Sequence, residues 1–201
     1  MALANESPYV NADAPEKIEH TPRNPITQAK MGQYYYAVIL NAEGVIVAWM
    51  NAYAYGEGVK LMEHAYLDSA FVNTFEFLLS PEGPCYKSRV VWAGDYADKE
   101  SGQEKNLYEL CDDAQLIRPE GKSAAKYRYV VNHTKKQYVD KSKILSLHPL
   151  PVMTVEGNGR GGGDLYEAPS FVGSWARDVI SVEEMGPEGF EEIVFEIPSE
   201  E

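Results

Sequence analysis

The chain has 201 residues, 44% of them hydrophobic, and carries 18 Lys and Arg against 31 Asp and Glu, a net charge of −13. Such a chain can build one domain with a real core, while its charge argues against a basic nucleic-acid-binding surface, which needs clustered Lys and Arg to neutralise phosphate. Two cysteines exclude a disulfide-rich scaffold and a four-cysteine zinc site, and no apolar run is long enough to span a membrane.

Residues 1–30 read as a flexible polar arm. Pro8, Pro15, Pro22 and Pro25 break any regular element, and apolar residues are too sparse to offset the entropy of ordering. No basic stretch followed by an apolar core opens the chain, so no signal peptide is expected. A cytoplasmic setting follows, with Cys85 and Cys111 as reduced thiols.

A single domain is expected over 31–197, followed by an acidic tail at 198–201. Tyr34 to Leu40 and Val45 to Met50 are aromatic and β-branched runs around Asn41-Ala42-Glu43-Gly44, the signature of a β-hairpin. From Val59 to Leu79 the apolar period becomes helical, with a break expected near Asp68-Ser69 and a stop at Ser80-Pro81-Glu82-Gly83-Pro84. Ser88 to Ala93 reads as a buried strand, and Gly94-Asp95-Tyr96-Ala97-Asp98 follows it. A short helix is predicted from Asn106 to Ala114. A second hairpin is predicted from Tyr127 to Val131 and Gln137 to Val139. Pro151 to Glu156, Trp175 to Val182 and Phe190 to Ile197 are further strand candidates. Hairpins dominate, which predicts an α+β fold: a mostly antiparallel sheet with one long helix packed on a face.

Several phrases resemble those of a group of uncharacterised bacterial and bacteriophage proteins. They are Met31-Gly32-Gln33-Tyr34-Tyr35, Lys60-Leu61-Met62-Glu63-His64 and Val91-Trp92-Ala93-Gly94-Asp95-Tyr96-Ala97-Asp98. Asn132 to Lys135 with Tyr138-Val139-Asp140, His148-Pro149-Leu150-Pro151 and the glycine-rich segment ending at Asp164 complete the set. The resemblance covers residues 31 to 197. It implies a phage or bacterial cytosolic setting, with Met31 opening the common core, and it implies no activity.

The glycine-rich segment is the leading candidate site. Gly157, Gly159 and Gly162 match the dinucleotide pattern, but the residues after them do not open a helix, so neither a nicotinamide nor a flavin is expected. The amides of Gly157, Gly159, Gly161 and Gly162 can instead form an anion-binding nest, with Arg160 supplying a bidentate fork and Asp164 a polar group beside it. Arg177 can join this site if its stretch pairs nearby, or form an ordinary ion pair. Asp95 and Asp98 stand three apart after a strand and can hold a divalent metal or act as a general base, though an ordinary turn with carboxylates capping the next amides is the favoured account. His64 on the helix is expected in an ion pair or a cap, with Asp68 one turn away.

The sequence thus suggests a cytosolic accessory protein that binds a small anionic ligand, phosphate- or nucleotide-like, through the segment around Arg160. Whether a reaction follows binding is open. A second reading is an acidic interaction protein that inhibits a host nucleic-acid-binding enzyme or defence protein. It rests on the eight glutamates and no Lys or Arg after Val179. A third is a virion or structural accessory protein docked by the arm.

Overall fold

The computed structural model describes residues 33–121, 123–157, 165 and 169–197. The proposed arm and the acidic tail lie outside them. Eight strands form one sheet in the order β2-β1-β3-β7-β4-β5-β8, with β6 paired to β3. All pairings are antiparallel except β3 with β6 and β5 with β8. The fold is α+β, as expected.

β1 (Tyr35–Leu40) and β2 (Ile46–Met50) make the first hairpin. Gly44 takes the positive φ of +81° that the turn requires. The Asn41 side chain accepts from the Glu43 and Val45 amides, closing the loop with one carboxamide. β3 (Ser88–Gly94) pairs with β1 along its whole length.

Strand alternation divides the core. Tyr35, Ala37, Ile39, Val90 and Trp92 point to the main core, and Val38, Leu40, Val91 and Ala93 to a smaller one on the opposite face. That second face is covered by α3 (Leu107–Leu110) and the turn after it, where Trp49 Nε1 donates to the Asp112 carbonyl at 2.8 Å. The sheet is therefore packed on both faces at this end.

The helix expected from 59 to 79 is two helices, α1 (Leu61–His64) and α2 (Ala70–Leu78). The break falls at the predicted Ser69, whose hydroxyl accepts from the Val72 amide as an N-cap. Residues between the helices bond to another segment instead: Leu67 N–H donates to the Ser146 carbonyl, and His148 N–H to the Ala65 carbonyl. α2 then lays Phe71, Val72, Phe75 and Leu78 on the main core.

β4 (Tyr129–Asn132) and β5 (Gln137–Asp140) form the second hairpin. Three strand expectations are corrected. Residues 149–154 are helix α4 (Pro149–Thr154), and only Val155–Glu156 extend as β6. Pro149 sits at the first turn, where the missing N–H is no loss, and the His148 ring accepts from the Leu150 amide as the cap. Trp175 to Asp178 turn before β7 (Val179–Glu183), with Gly173 and Arg177 at φ +66° and +65°. The last run pairs only at β8 (Glu191–Glu192), though Ile193, Phe195 and Ile197 still pack on the main core. Among the described residues no helix is long and apolar enough to cross a membrane.

Candidate functional site

β3 and β6 run parallel, so they leave the sheet side by side. Two candidate segments thereby converge: the Asp95 turn after β3 and the glycine-rich segment after β6. Contact is close. A Cβ on Gly94 would lie 3.0 Å from the Glu156 carbonyl oxygen, and one on Gly157 would lie 2.5 Å from Gln33 Oε1. Gln33 Oε1 accepts from the Tyr35 hydroxyl at 2.5 Å, while its buried Nε2 has no partner among the described residues. Gly159, Arg160, Gly161, Gly162 and Asp164 lie outside the described residues.

Asp95 builds a capped turn. Its Oδ1 accepts from the Tyr34 amide at 3.1 Å, and Asn106 Nδ2 donates to the carbonyls of Asp95 and Ala97. Burial pushes the Asp95 carboxyl up. Asp98 is exposed. Among the described residues, no three His, Cys, Asp or Glu side chains are grouped to hold a metal ion.

Arg177 is held by carboxylates of its own chain. Nε and Nη2 donate to Glu156 at 2.7 and 2.6 Å, and Nη1 and Nη2 donate to Glu100 at 2.9 and 2.5 Å. All three guanidinium nitrogens are engaged, and the trio carries one negative charge. This matches the ion-pair expectation for Arg177, with partners drawn from the sheet end rather than across a strand pair.

His64 is buried, and its ring bonds elsewhere than to Asp68. Nδ1 faces the Gly58 carbonyl at 2.9 Å, and Nε2 accepts from Trp92 Nε1 at 2.9 Å. Those two bonds fix the proton on Nδ1, and burial holds the ring below its ordinary pKa. Both cysteines are free thiols. Burial pushes Cys111 up to about 12, so desolvation keeps it unreactive.

A second site emerges from residues the sequence did not single out. The open end of the β4–β5 hairpin lies against α2, where Lys141 N–H extends the ladder to the Arg128 carbonyl. Glu76 on α2 has no exposed surface. Its carboxylate accepts from Lys141 Nζ at 2.7 Å through each oxygen, and His148 Nε2 faces it at 3.2 Å, within ion-pair reach but without hydrogen-bond alignment. Burial pushes Glu76 up, but His148 and Lys141 outweigh it and hold the carboxyl below its ordinary value. Beside it, Arg128 Nε and Nη2 donate to Asp140 at 2.7 and 2.5 Å, which holds the Asp140 carboxyl well below the usual range.

Both cations line a cavity of 760 Å³, with Asn73, Thr74, Ser123 and Ser142 on the wall. Their counter-charges lie behind them. The Glu76 and Asp140 side chains are 0% and 4% exposed, against 13% for Lys141 and 48% for Arg128. No Asp or Glu stands on the wall among the described residues. In a chain of net charge −13, this concavity presents cations and hydroxyls to solvent. The available sequence signal was Glu76, a carboxylate three residues before Leu79 and four after Val72, inside the apolar stripe of α2. A buried charge there requires a cation from elsewhere.

No protein-family model, curated protein or solved structure matches this chain.

Proposed function

We propose that the protein binds a small anionic ligand, phosphate- or carboxylate-bearing, in the cavity of Lys141 and Arg128. One observation carries this reading: two cations face a concavity of ligand size while their carboxylate partners are buried behind them. Arg128 uses Nε and one side of Nη2 on Asp140, which leaves its Nη1 edge for a ligand. Lys141 has a third N–H beyond the two bonds to Glu76. The chemistry is that expected of the Arg160 segment, but the seat differs. Arg177, which would have joined Arg160, is outnumbered by Glu100 and Glu156.

The glycine-rich segment is a second seat for the same class of ligand, favoured by the buried Nε2 of Gln33, which lies against Gly157 and has no partner among the described residues. In that reading Arg160 supplies the charge, and Asp95, Asp98 and Asp164 would position a divalent metal. An acidic surface for a basic host protein has less support, because Glu184 and Glu192 already pair with Lys126 and Lys143. On its motifs we place the chain beside the uncharacterised bacterial and bacteriophage proteins it resembles, acting in the host cytoplasm.

Calorimetry with inorganic phosphate at low ionic strength tests the proposal. Saturable binding is expected, and Arg128→Gln should remove a charge-assisted bond worth about 1.5–3 kcal/mol, roughly ten- to a hundredfold in affinity. Unchanged binding by that variant would move the ligand to the Arg160 segment.

A further inference from the structure

We infer that the anion bound in this cavity is the charged group of a polyol, such as a sugar phosphate or a sugar acid. The inference rests on the anion reading above and adds the rest of the ligand.

It comes from what remains of each hydrogen-bonding side chain after its internal bonds are made. Asn73 gives both Nδ2 hydrogens to the carbonyls of Leu67 and Ser69, at 3.1 and 2.8 Å. Thr74 gives its hydroxyl hydrogen to the Ala70 carbonyl at 2.8 Å, and Ser142 gives its own to Asp140 Oδ1 at 2.7 Å. Asn73 and Ser142 therefore face the cavity only as acceptors, through Oδ1 and through hydroxyl lone pairs, whereas Thr74 is 1% exposed and lies beneath the wall. Ser123 is the opposite case. Its oxygen accepts from the Ala125 amide at 3.2 Å, and its hydrogen remains to donate. With Lys141 and Arg128 the wall thus divides into a donor set, which suits an anion, and an acceptor set, which an anion cannot satisfy.

A phosphate monoester dianion has no hydrogen to give on the phosphate itself, and inorganic phosphate near neutral pH has only one or two. A ligand that engages both sets must carry an anionic group and several O–H donors. Polyols meet this requirement, and their C–H faces fit the remaining apolar wall of Leu67, Ala70 and Ala125. A nucleobase fits less well. Tyr127 is the single aromatic residue on the described wall, so stacking between two rings is not offered there.

The experiment compares four probes on the unmodified full chain by calorimetry: inorganic phosphate, glucose, glucose 6-phosphate and adenosine monophosphate. Glucose 6-phosphate is expected to bind about tenfold or more tighter than either inorganic phosphate or glucose, since each satisfied acceptor adds roughly one net hydrogen bond. Ser142→Ala, which removes one exposed acceptor, should narrow that gap and leave phosphate binding nearly as it was. Equal affinity for phosphate and glucose 6-phosphate would overturn the polyol inference and leave the anion reading standing. Tighter binding of the nucleotide would overturn it in favour of a base-recognising site. Failure of all four to bind would overturn the anion reading itself.

Discussion

Lys141 donates to both carboxylate oxygens of Glu76, and Glu76 has no contact with solvent. The carboxylate was desolvated on folding, so removing Lys141 takes away both of its hydrogen bonds from that cation and leaves a buried charge facing only His148. Lys141→Met should destabilise the protein by about 3–5 kcal/mol. Adding Glu76→Gln removes the stranded charge and should recover most of that loss. Urea unfolding of the wild type and both variants tests this. A double variant no more stable than the single one would show that Lys141 supports the fold by packing alone.

Acid should weaken the fold in two stages. Burial holds His64, His133 and His148 below the ordinary imidazole value of 6.5. Below that value the unfolded chain binds more protons than the folded one at these rings, so stability falls as pH drops from about 6.5 towards the folded pKa values. Glu76 behaves as a depressed carboxylate. Its contribution is complete above 4.5 and is lost as pH falls through its folded value. Thermal midpoints should therefore begin to fall between pH 7 and 5, ahead of the loss of the Glu76 contribution. A level midpoint across that window would contradict the buried, neutral histidines.

Trp92 and His64 offer a sharper probe of one ring. Trp92→Phe removes the donor to His64 Nε2. Leaving that acceptor buried and unpaired should cost about 1–3 kcal/mol. It also frees the lone pair that takes the second proton, so the His64 pKa should rise. NMR titration of the imidazole reads this directly, and an unchanged pKa would show that the indole bond does not hold the neutral form.

Much of the fold was legible in the sequence because it is local. Asn41 to Gly44 announced a hairpin, and Asp68-Ser69 announced a break in the helix. The strand expected at 151–156 failed because a short apolar run does not distinguish a strand from a buried helix. The decisive features, Pro149 at the first turn and His148 as its cap, lie just before that run. The cavity was illegible for a different reason. Arg128, Lys141 and Glu76 are separated by up to 65 residues in the chain and meet only through tertiary packing. Each alone reads as an ordinary surface charge. Glu76 was the exception, conspicuous within an apolar stripe.

Two glycines with similar backbones should respond differently to alanine. Gly44 and Gly173 both have positive φ, at +81° and +66°, but a Cβ on Gly44 meets nothing within 4 Å, whereas one on Gly173 would lie 2.6 Å from the Val155 carbonyl oxygen. Gly44→Ala should cost only the left-handed backbone penalty, about 1–2 kcal/mol. Gly173→Ala adds a clash with backbone that cannot rotate away, and should cost clearly more. Equal losses in chemical denaturation would mean that the turn before β7 can shift to admit the methyl group.

The anion site itself is located most directly by NMR, with the full chain titrated by inorganic phosphate at low ionic strength. Saturable shifts are predicted at the Arg128 Nε–H, the Lys141 side chain and the Ser123 and Ser142 amides. The Arg177 Nε–H, already engaged with Glu156, should stay in place. Arg128→Gln should weaken the shifts at the Lys141 side chain and at the Ser123 and Ser142 amides together. Shifts centred on Gly157 and Arg177, or no saturable shift at Arg128 and Lys141, would contradict the placement of the ligand.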